Sequence, residues 1–352
     1  MNAWEKNVRK VTPYTPGEQP KVDDVIKLNT NECPYPPSSK VVEALENMNK
    51  DKLRLYPDPD ATELVDAIAE YYNVNSNQVF VGVGSDDVIG MAFLTFFNSN
   101  KPILFPDITY SFYDVWANML RIPFETKALD DDFQIKKEDY YGENGGVVFP
   151  NPNAPTGILM PLSEIEDIIA HNRDVIVVVD EAYIDFGGES ALPLIKKYDN
   201  LLVVQTFSKS RSLAGMRLGF AMGNEKLIRY INDVKYSFNS YTLNQTALVL
   251  GVQAIRDREY FEETCAKVIA TREWTKCELK KLGFSFGDSM SNFIFATHER
   301  VPAKEIFEAL REHNIFVRYF SKPRISNYLR ISIGTQQEME RLTDFLAVFL
   351  GE

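Results

Sequence analysis

The chain has 352 residues, 45% of them hydrophobic and 25% charged, with 38 basic against 50 acidic side chains and a net charge of −12. That length exceeds one ordinary domain and predicts two packed domains with sizeable cores. The acidic excess excludes a general nucleic-acid binder or a protein that docks on anionic lipid, yet it leaves small anionic substrates open, because a site is set by local charge and not by the sum.

In chain order, the first thirty residues are rich in proline and charge, and Pro13-Tyr14-Thr15-Pro16-Gly17 disfavours regular structure. Residues 61–73 read as an amphipathic helix, with Leu64, Val65, Ile68 and Tyr72 on one face. A short strand over 78–83 leads into a helix over 85–97. Brief apolar or β-branched runs at 101–105, 146–149, 175–179 and 201–206 are bounded by turn residues. Such runs, joined by helical connections, predict an α/β fold built on a buried, mainly parallel sheet. Residues 217–222 form one more strand, close enough to the preceding one to run antiparallel. From about residue 235 the texture changes. A long helical stretch over 242–282 precedes a strand (292–296), a helix (303–313), a strand (328–333) and a helix (336–350), which predicts a smaller α+β unit. The boundaries expected are 1–29 for an N-terminal arm and part of the small domain, 30–240 for the large domain and 241–352 for the small C-terminal domain.

No apolar run approaches the roughly 18 residues of a membrane span, and the first residues lack the apolar core of a secretory signal. Cys33, Cys265 and Cys277 show no paired spacing, suit a reducing cytoplasm and read as buried small hydrophobes. His171, His298 and His313 lie far apart, against a histidine-rich metal site, and His171 falls at a helix end. Lys322 and Arg324 read as surface charges. A cytoplasmic protein without a metal is the expectation.

Three features fall at strand ends, where open α/β sheets bind ligands. The first is Gly82-Val83-Gly84-Ser85-Asp86-Asp87, a glycine turn into a helix whose free N–H groups would attract a phosphate. Gly90 is out of register for a dinucleotide fingerprint, and a tight turn capped by Ser85 or Asp86 is the ordinary alternative. The second is Asp180, which ends the run Val175-Ile176-Val177-Val178-Val179. A buried carboxylate there needs a cation or strong donor, though a helix cap or salt bridge would also explain it. The third is Lys209, set after a core strand among small hydroxyl residues, where desolvation makes a lysine a usable amine nucleophile. A solvated surface lysine is its alternative. Together the three are the parts that hold pyridoxal 5'-phosphate: an amine for its aldehyde, a carboxylate for its ring nitrogen and a cradle for its phosphate.

The chain also resembles the fold-type I aminotransferases at these points. Ser208-Lys209 with Leu213-Ala214-Gly215-Met216-Arg217 is similar to their lysine motif. Asp180-Glu181-Ala182-Tyr183 is similar to their aspartate motif, and Asn151-Pro152-Asn153-Ala154-Pro155-Thr156-Gly157 to their Asn-Pro-Thr-Gly loop. Order and spacing agree over nearly the whole chain. A narrower resemblance, to the histidinol-phosphate aminotransferases within that family, rests on Pro13-Tyr14-Thr15-Pro16-Gly17, Leu28-Asn29-Thr30-Asn31-Glu32, Tyr56-Pro57-Asp58-Pro59, Gly84-Ser85-Asp86, Val317-Arg318 and Tyr328-Leu329-Arg330.

The resemblance implies a large pyridoxal-phosphate-binding domain, a smaller domain and a homodimer. It implies amino transfer between histidinol phosphate and 2-oxoglutarate, giving imidazole-acetol phosphate and glutamate, as in histidine biosynthesis. An aromatic amino-acid aminotransferase, or a decarboxylase of a phosphorylated amino acid, would use the same scaffold. By position, Lys209 is implied to form the Schiff base and carry the proton, Asp180 to pair with the ring nitrogen, Tyr183 to bond the ring oxygen and Tyr110 to stack on the ring. Ser85, Asp86, Thr206, Ser208 and Arg217 are implied to surround the phosphate, which Tyr56 reaches from the neighbouring subunit. Arg330 is implied to grip the substrate anion, helped by Arg318, Tyr14 and Asn31. One departure stands out: Ala154 occupies the position where the family carries asparagine before Pro-Thr-Gly, and Asn153 is the nearest residue to supply that contact. Smaller departures are Pro36 in Pro34-Tyr35-Pro36-Pro37, where the family reads glycine, and Asp87, where it commonly has glutamate. The charge is uneven too: residues 204–235 hold six bases to two acids, and 298–330 seven to four, so the implied anion-binding residues sit in locally cationic segments.

Overall fold

The computed structural model describes residues 2–21 and 24–351. Its strands in chain order are β1 (Ile26–Leu28), β2 (Val79–Gly82), β3 (Ile103–Pro106), β4 (Phe124–Lys127), β5 (Gly146–Pro150) and β6 (Val177–Asp180). They continue with β7 (Leu201–Thr206), β8 (Gly219–Gly223), β9 (Phe284–Phe286), β10 (Phe293–His298), β11 (Ile315–Tyr319) and β12 (Leu329–Ser332). Seven form one sheet in the order β2-β8-β7-β6-β5-β3-β4, parallel throughout except for β8, which runs antiparallel to both its neighbours. The central strands are buried at every residue. Their Val, Leu and Phe side chains point alternately into two cores, one on each face, which is why these segments read as continuous apolar runs without alternation.

The remaining strands form a five-stranded sheet, β1-β11-β12-β10-β9, in which only β1 and β11 are parallel. β1 pairs Ile26 with Ile315, so the segment after the proline-rich arm is built into the second sheet. The stretch expected to be one long helix is two, Gln245–Arg256 and Arg258–Lys281, broken at Asp257, whose carboxylate meets Lys40 Nζ at 2.7 Å. Leu248, Val252 and Ile255 of the first pack into the core of the large sheet, whereas Cys265, Val268 and Leu279 of the second pack on the small one. Among the described residues no helix is long and apolar enough to cross a membrane.

Because β2, β3, β5, β6 and β7 are parallel, the segments leaving their carboxyl ends gather along one edge. The register places Asp180 beside Pro150 and Val204, and Thr206 beside Gly219. That edge faces the small sheet and forms the floor of the candidate site.

Candidate active site

Asp180 closes β6 and is 4% exposed. Its carboxylate accepts hydrogen bonds from Tyr113 Oη (2.9 Å) and the Ala182 N–H (3.2 Å), and among the described residues no cationic side chain forms a salt bridge with it. Burial, the largest influence, pushes its carboxyl up to about 6 despite those two donors. An anion held this way calls for a cationic partner. Lys209 stands on the loop that follows β7. Its Nζ donates to the Thr30 carbonyl (3.2 Å) and lies 5.8 Å from the centre of the Tyr183 ring. Tyr183 Oη accepts from Asn31 Nδ2 at 2.9 Å, which leaves the phenolic proton free for another acceptor. Asn31, in the left-handed region at φ 57°, is itself fixed by Ser332: its N–H donates to Ser332 Oγ (2.9 Å), and that hydroxyl donates back to Asn31 Oδ1 (2.8 Å).

The corner between β2, β7 and β8 has the chemistry of an anion cradle. The helix Gly84–Phe96 begins there, and the first-turn N–H groups of a helix have no carbonyl partner within it. Neither Ser85 nor Asp86 caps this helix. Asp87 instead reaches back to accept from the Val83 N–H (2.9 Å), and Ser85 and Asp86 are left for other contacts. Gly84 sits at φ 82°, where an added Cβ would come within 2.5 Å of Arg217 Nη2, and a Cβ at Gly219 would lie 2.3 Å from the Ser85 nitrogen. Gly219 is therefore dictated by the close approach of backbone, and Gly84 by its left-handed φ. Arg217 reaches Asp86 Oδ2 (3.1 Å) and Ser208 Oγ (3.3 Å), while Thr206 Oγ1 accepts from the Ser208 N–H (3.1 Å). Tyr110 Oη donates to Asp86 Oδ1 at 2.6 Å, and burial together with that carboxylate raises its phenol well above the ordinary range.

Opposite this floor, Arg318 on β11 and Arg330 on β12 are directly paired across the antiparallel ladder. Like charges set opposite each other are destabilising. Arg330 donates from Nη2 to the Asn29 carbonyl (2.9 Å), but its buried Nε has no partner, and burial followed by Arg318 lowers its pKa. Both guanidinium groups lie within 5.9 Å of the Phe320 ring centre. Tyr14 stacks on Phe112 at 4.3 Å and stands 6.5 Å from Tyr110. A cavity of about 510 Å³ is lined by Tyr14, Asn31, Asp86, Tyr110, Tyr183, Lys209, Arg217, Arg318 and Arg330. Nine residues singled out in the sequence thus face one space, with Asp180, Thr206 and Ser208 buried at the same strand ends.

Two other candidates are placed differently. Asn153 is buried, and both its amide protons are used within the protein, on the Ile108 carbonyl (3.0 Å) and Thr156 Oγ1 (3.1 Å). Ala154, not Asn153, lines the cavity. Tyr56 is 81% exposed and stacks on Tyr241, away from the cavity of its own chain. Three ordinary readings need correction. Cys277 is exposed and Cys33 only partly buried, so Cys265 alone is a core thiol; Arg324 is not a free surface charge but pairs with Asp107. Sequence reasoning missed Tyr113, Ser332, Thr30 and Phe320. Phe320, two residues beyond Arg318 and just past the end of β11, was open to the alternation rule; the others are contacts made only by tertiary packing.

These residues suit pyridoxal phosphate: a buried carboxylate without a cation matches a protonated ring nitrogen, and the cradle matches a phosphate. Among the described residues no cluster suited to a metal ion occurs. Comparison with known proteins agrees. Residues 23–346 match the aminotransferase class I and II family. The chain is 56% identical over 339 residues to histidinol-phosphate aminotransferase 1 of Hydrogenovibrio crunogenus, covering 96% of this chain and 95% of that one. It is 53% identical over 341 residues to the histidinol-phosphate aminotransferase of Clostridium botulinum, covering 97% and 96%. Among solved structures, the histidinol-phosphate aminotransferase of Clostridium acetobutylicum superposes with a TM-score of 0.86 at 20% identity, over 93% of this chain and 99% of that one. The Sinorhizobium meliloti enzyme, solved in complex with pyridoxal-5'-phosphate, gives 0.85 at 21% identity, over 93% and 91%; at such identities the likeness speaks for the fold. The chain belongs to the aminotransferase class I and II family, in its histidinol-phosphate aminotransferase branch.

Proposed function

We propose that this chain is a pyridoxal-phosphate-dependent aminotransferase that interconverts histidinol phosphate and 2-oxoglutarate with imidazole-acetol phosphate and glutamate, working in the cytoplasm as a homodimer. The observation that carries the substrate assignment is the opposed pair Arg318 and Arg330 with the unpartnered Arg330 Nε. Two paired arginines lining one cavity with an amine, one of them with a buried unpartnered Nε, favour an anion as the ligand. A guanidinium fork accepts a carboxylate or a phosphate with the same geometry. One site can therefore take the carboxylate of glutamate and the phosphate of histidinol phosphate in turn, which the amino transfer requires because histidinol phosphate has no α-carboxylate. The names of the 53–56% identical relatives support the same substrate.

When bound, pyridoxal phosphate supplies an aldehyde to carry the amino group and a ring that withdraws electrons from the substrate carbon. The residues of this chain do the rest. Lys209 is the amine that would hold the aldehyde, and its Nζ would be the base that moves a proton at the substrate carbon. Asp180, raised by burial but still a carboxylate at neutral pH, keeps a proton on the ring nitrogen. Tyr183, oriented by Asn31, offers its hydroxyl proton to the ring oxygen. With Asn153 committed to Ile108 and Thr156, Tyr183 is the donor available for that oxygen. Arg217, Ser208, Thr206, Ser85 and the backbone N–H of Asp86 would hold the phosphate, with Tyr110 against the ring. Tyr56, exposed and remote from its own cavity, fits a role in the neighbouring subunit's cradle. The test is spectral: purified protein loaded with the cofactor is yellow, and Lys209→Ala loses that absorbance and the activity together. A wild type indifferent to pyridoxal phosphate would refute the proposal.

A further inference from the structure

We propose that Arg324 is a positioning residue: it latches the strands carrying the substrate-anion arginines onto the loop carrying Tyr110, and so fixes how far Arg318 and Arg330 stand from the Lys209 amine. The inference rests on the reading of this cavity as the amino-transfer site.

Arg324 lies in the connection between β11 and β12, the two strands that bear Arg318 and Arg330. Its guanidinium leaves that sheet and reaches the other. Nη1 meets Asp107 Oδ2 at 3.1 Å, and Nη2 donates to the Leu129 carbonyl (2.9 Å) and the Asp130 carbonyl (2.7 Å). Asp107 is the residue after β3, three positions before Tyr110, and its other oxygen accepts from the Leu129 N–H at 3.0 Å. One side chain thus joins two segments of the large sheet to the hairpin of the small one. The backbone is strained to do so: Arg324 has φ 66°, a left-handed conformation that non-glycine residues adopt at a cost and that persists where surroundings impose it. Beneath the latch, Ile108 and Leu129 of the large-sheet side pack with Phe295 and Ile325 of the small-sheet side, flanked by Phe133, Phe320 and Tyr328. The guanidinium carbon stands 5.8 Å from the Phe133 ring centre. The same loop holds the floor, since the Ile108 carbonyl and Thr109 Oγ1 bond Asn153. None of the latch residues needs to touch substrate. Their effect passes through Arg318, Arg330 and Phe320, which border both the 510 Å³ cavity and, for Arg318 and Phe320, an adjoining cavity of about 770 Å³.

The experiment uses the cofactor-loaded enzyme and two readouts. Inorganic phosphate is titrated by calorimetry, because binding of this small anion reads the arginine pair without requiring turnover; KM and kcat are then measured for glutamate and histidinol phosphate. Arg324→Ala is expected to weaken phosphate and raise both KM values about tenfold, the scale of losing one charge-assisted set of hydrogen bonds, with cofactor affinity and spectrum unchanged. Arg324→Lys, which can meet Asp107 but lacks the fork for both carbonyls, falls between. Phosphate affinity and KM within twofold of wild type would overturn the latch while leaving the amino-transfer reading intact. Equal losses of cofactor affinity, thermal stability and anion affinity would also overturn it, by showing a merely structural side chain. Absence of amino transfer in the wild type, with phosphate still weakened in Arg324→Ala, would refute the proposed reaction and sustain the latch.

Discussion

Replacing Asp180 by asparagine separates what this side chain does for the fold from what it does for the cofactor. The substitution keeps size and an oxygen for the Ala182 N–H but removes the charge. In the cofactor-free protein that charge is a burden: burial holds the carboxyl at about 6 against 3.8 for a free aspartate, a gap equivalent to about 3 kcal/mol at neutral pH. Because the folded value is the higher one, the cost is present above about pH 6 and fades as the pH falls towards 4 and the carboxyl takes up its proton. Asp180→Asn should therefore stabilise the cofactor-free protein at pH 7.5 by about 1–3 kcal/mol, a rise of a few °C in Tm, with the difference roughly halved at pH 5 and closing near pH 4. In the loaded protein the order should invert, since the carboxylate then has a cationic ring nitrogen beside it and the amide does not. Scanning calorimetry of both proteins, with and without pyridoxal phosphate at pH 4 to 8, reads all four arms. A cofactor-free Asp180→Asn less stable than wild type by the same margin at every pH would refute the account of Asp180 as an uncompensated buried carboxylate.

Further outcomes follow from the same geometry. Arg330→Lys keeps the charge but loses the fork, and kcat/KM for glutamate and for histidinol phosphate should both fall about 100-fold, the scale of a bidentate charged contact; unchanged kcat/KM for either would exclude a shared anion site. Tyr56 can be assigned to one subunit or the other with mixed dimers of Tyr56→Ala and Lys209→Ala chains. If the partner subunit's Tyr56 completes each cradle, the mixed dimer regains about half the wild-type activity because one of its two sites is intact, whereas a role within its own chain leaves the mixture inactive.

The parts legible in the sequence are those that depend on neighbours along the chain. β5, β6 and β7 are mostly apolar because both faces are covered, and Asp180 ending β6 and Thr206 ending β7 mark the sheet's carboxyl edge. Lys209, Asp180 and the Gly84 turn were readable for that reason. β4, by contrast, is an edge strand with a polar, half-exposed sequence, and it carries no such signal. The break at Asp257 was hidden because helical periodicity continues on both sides of it, and contacts made on folding, with Lys40 and Ser38 among them, fix the corner. In the site, roles that pass through a second side chain were invisible: Asn31 was expected to aid substrate binding, yet its amide is directed at Tyr183 and tied to Ser332, 301 residues away. Arg324 looked like a solvated charge because its three acceptors lie about 200 residues upstream. Local chemistry picks out residues that the fold gathers around one cavity; the framework that aims them exists only after the two sheets meet.

Amino transfer with histidinol phosphate as the donor can be tested directly. The most direct measurement is a comparison of kcat/KM for histidinol phosphate, phenylalanine, tyrosine and phosphothreonine, each with 2-oxoglutarate as acceptor, by following glutamate formation and carbon dioxide release. Stoichiometric glutamate and the highest kcat/KM are expected with histidinol phosphate. A preference for phenylalanine or tyrosine, or carbon dioxide from phosphothreonine without glutamate, would contradict that expectation.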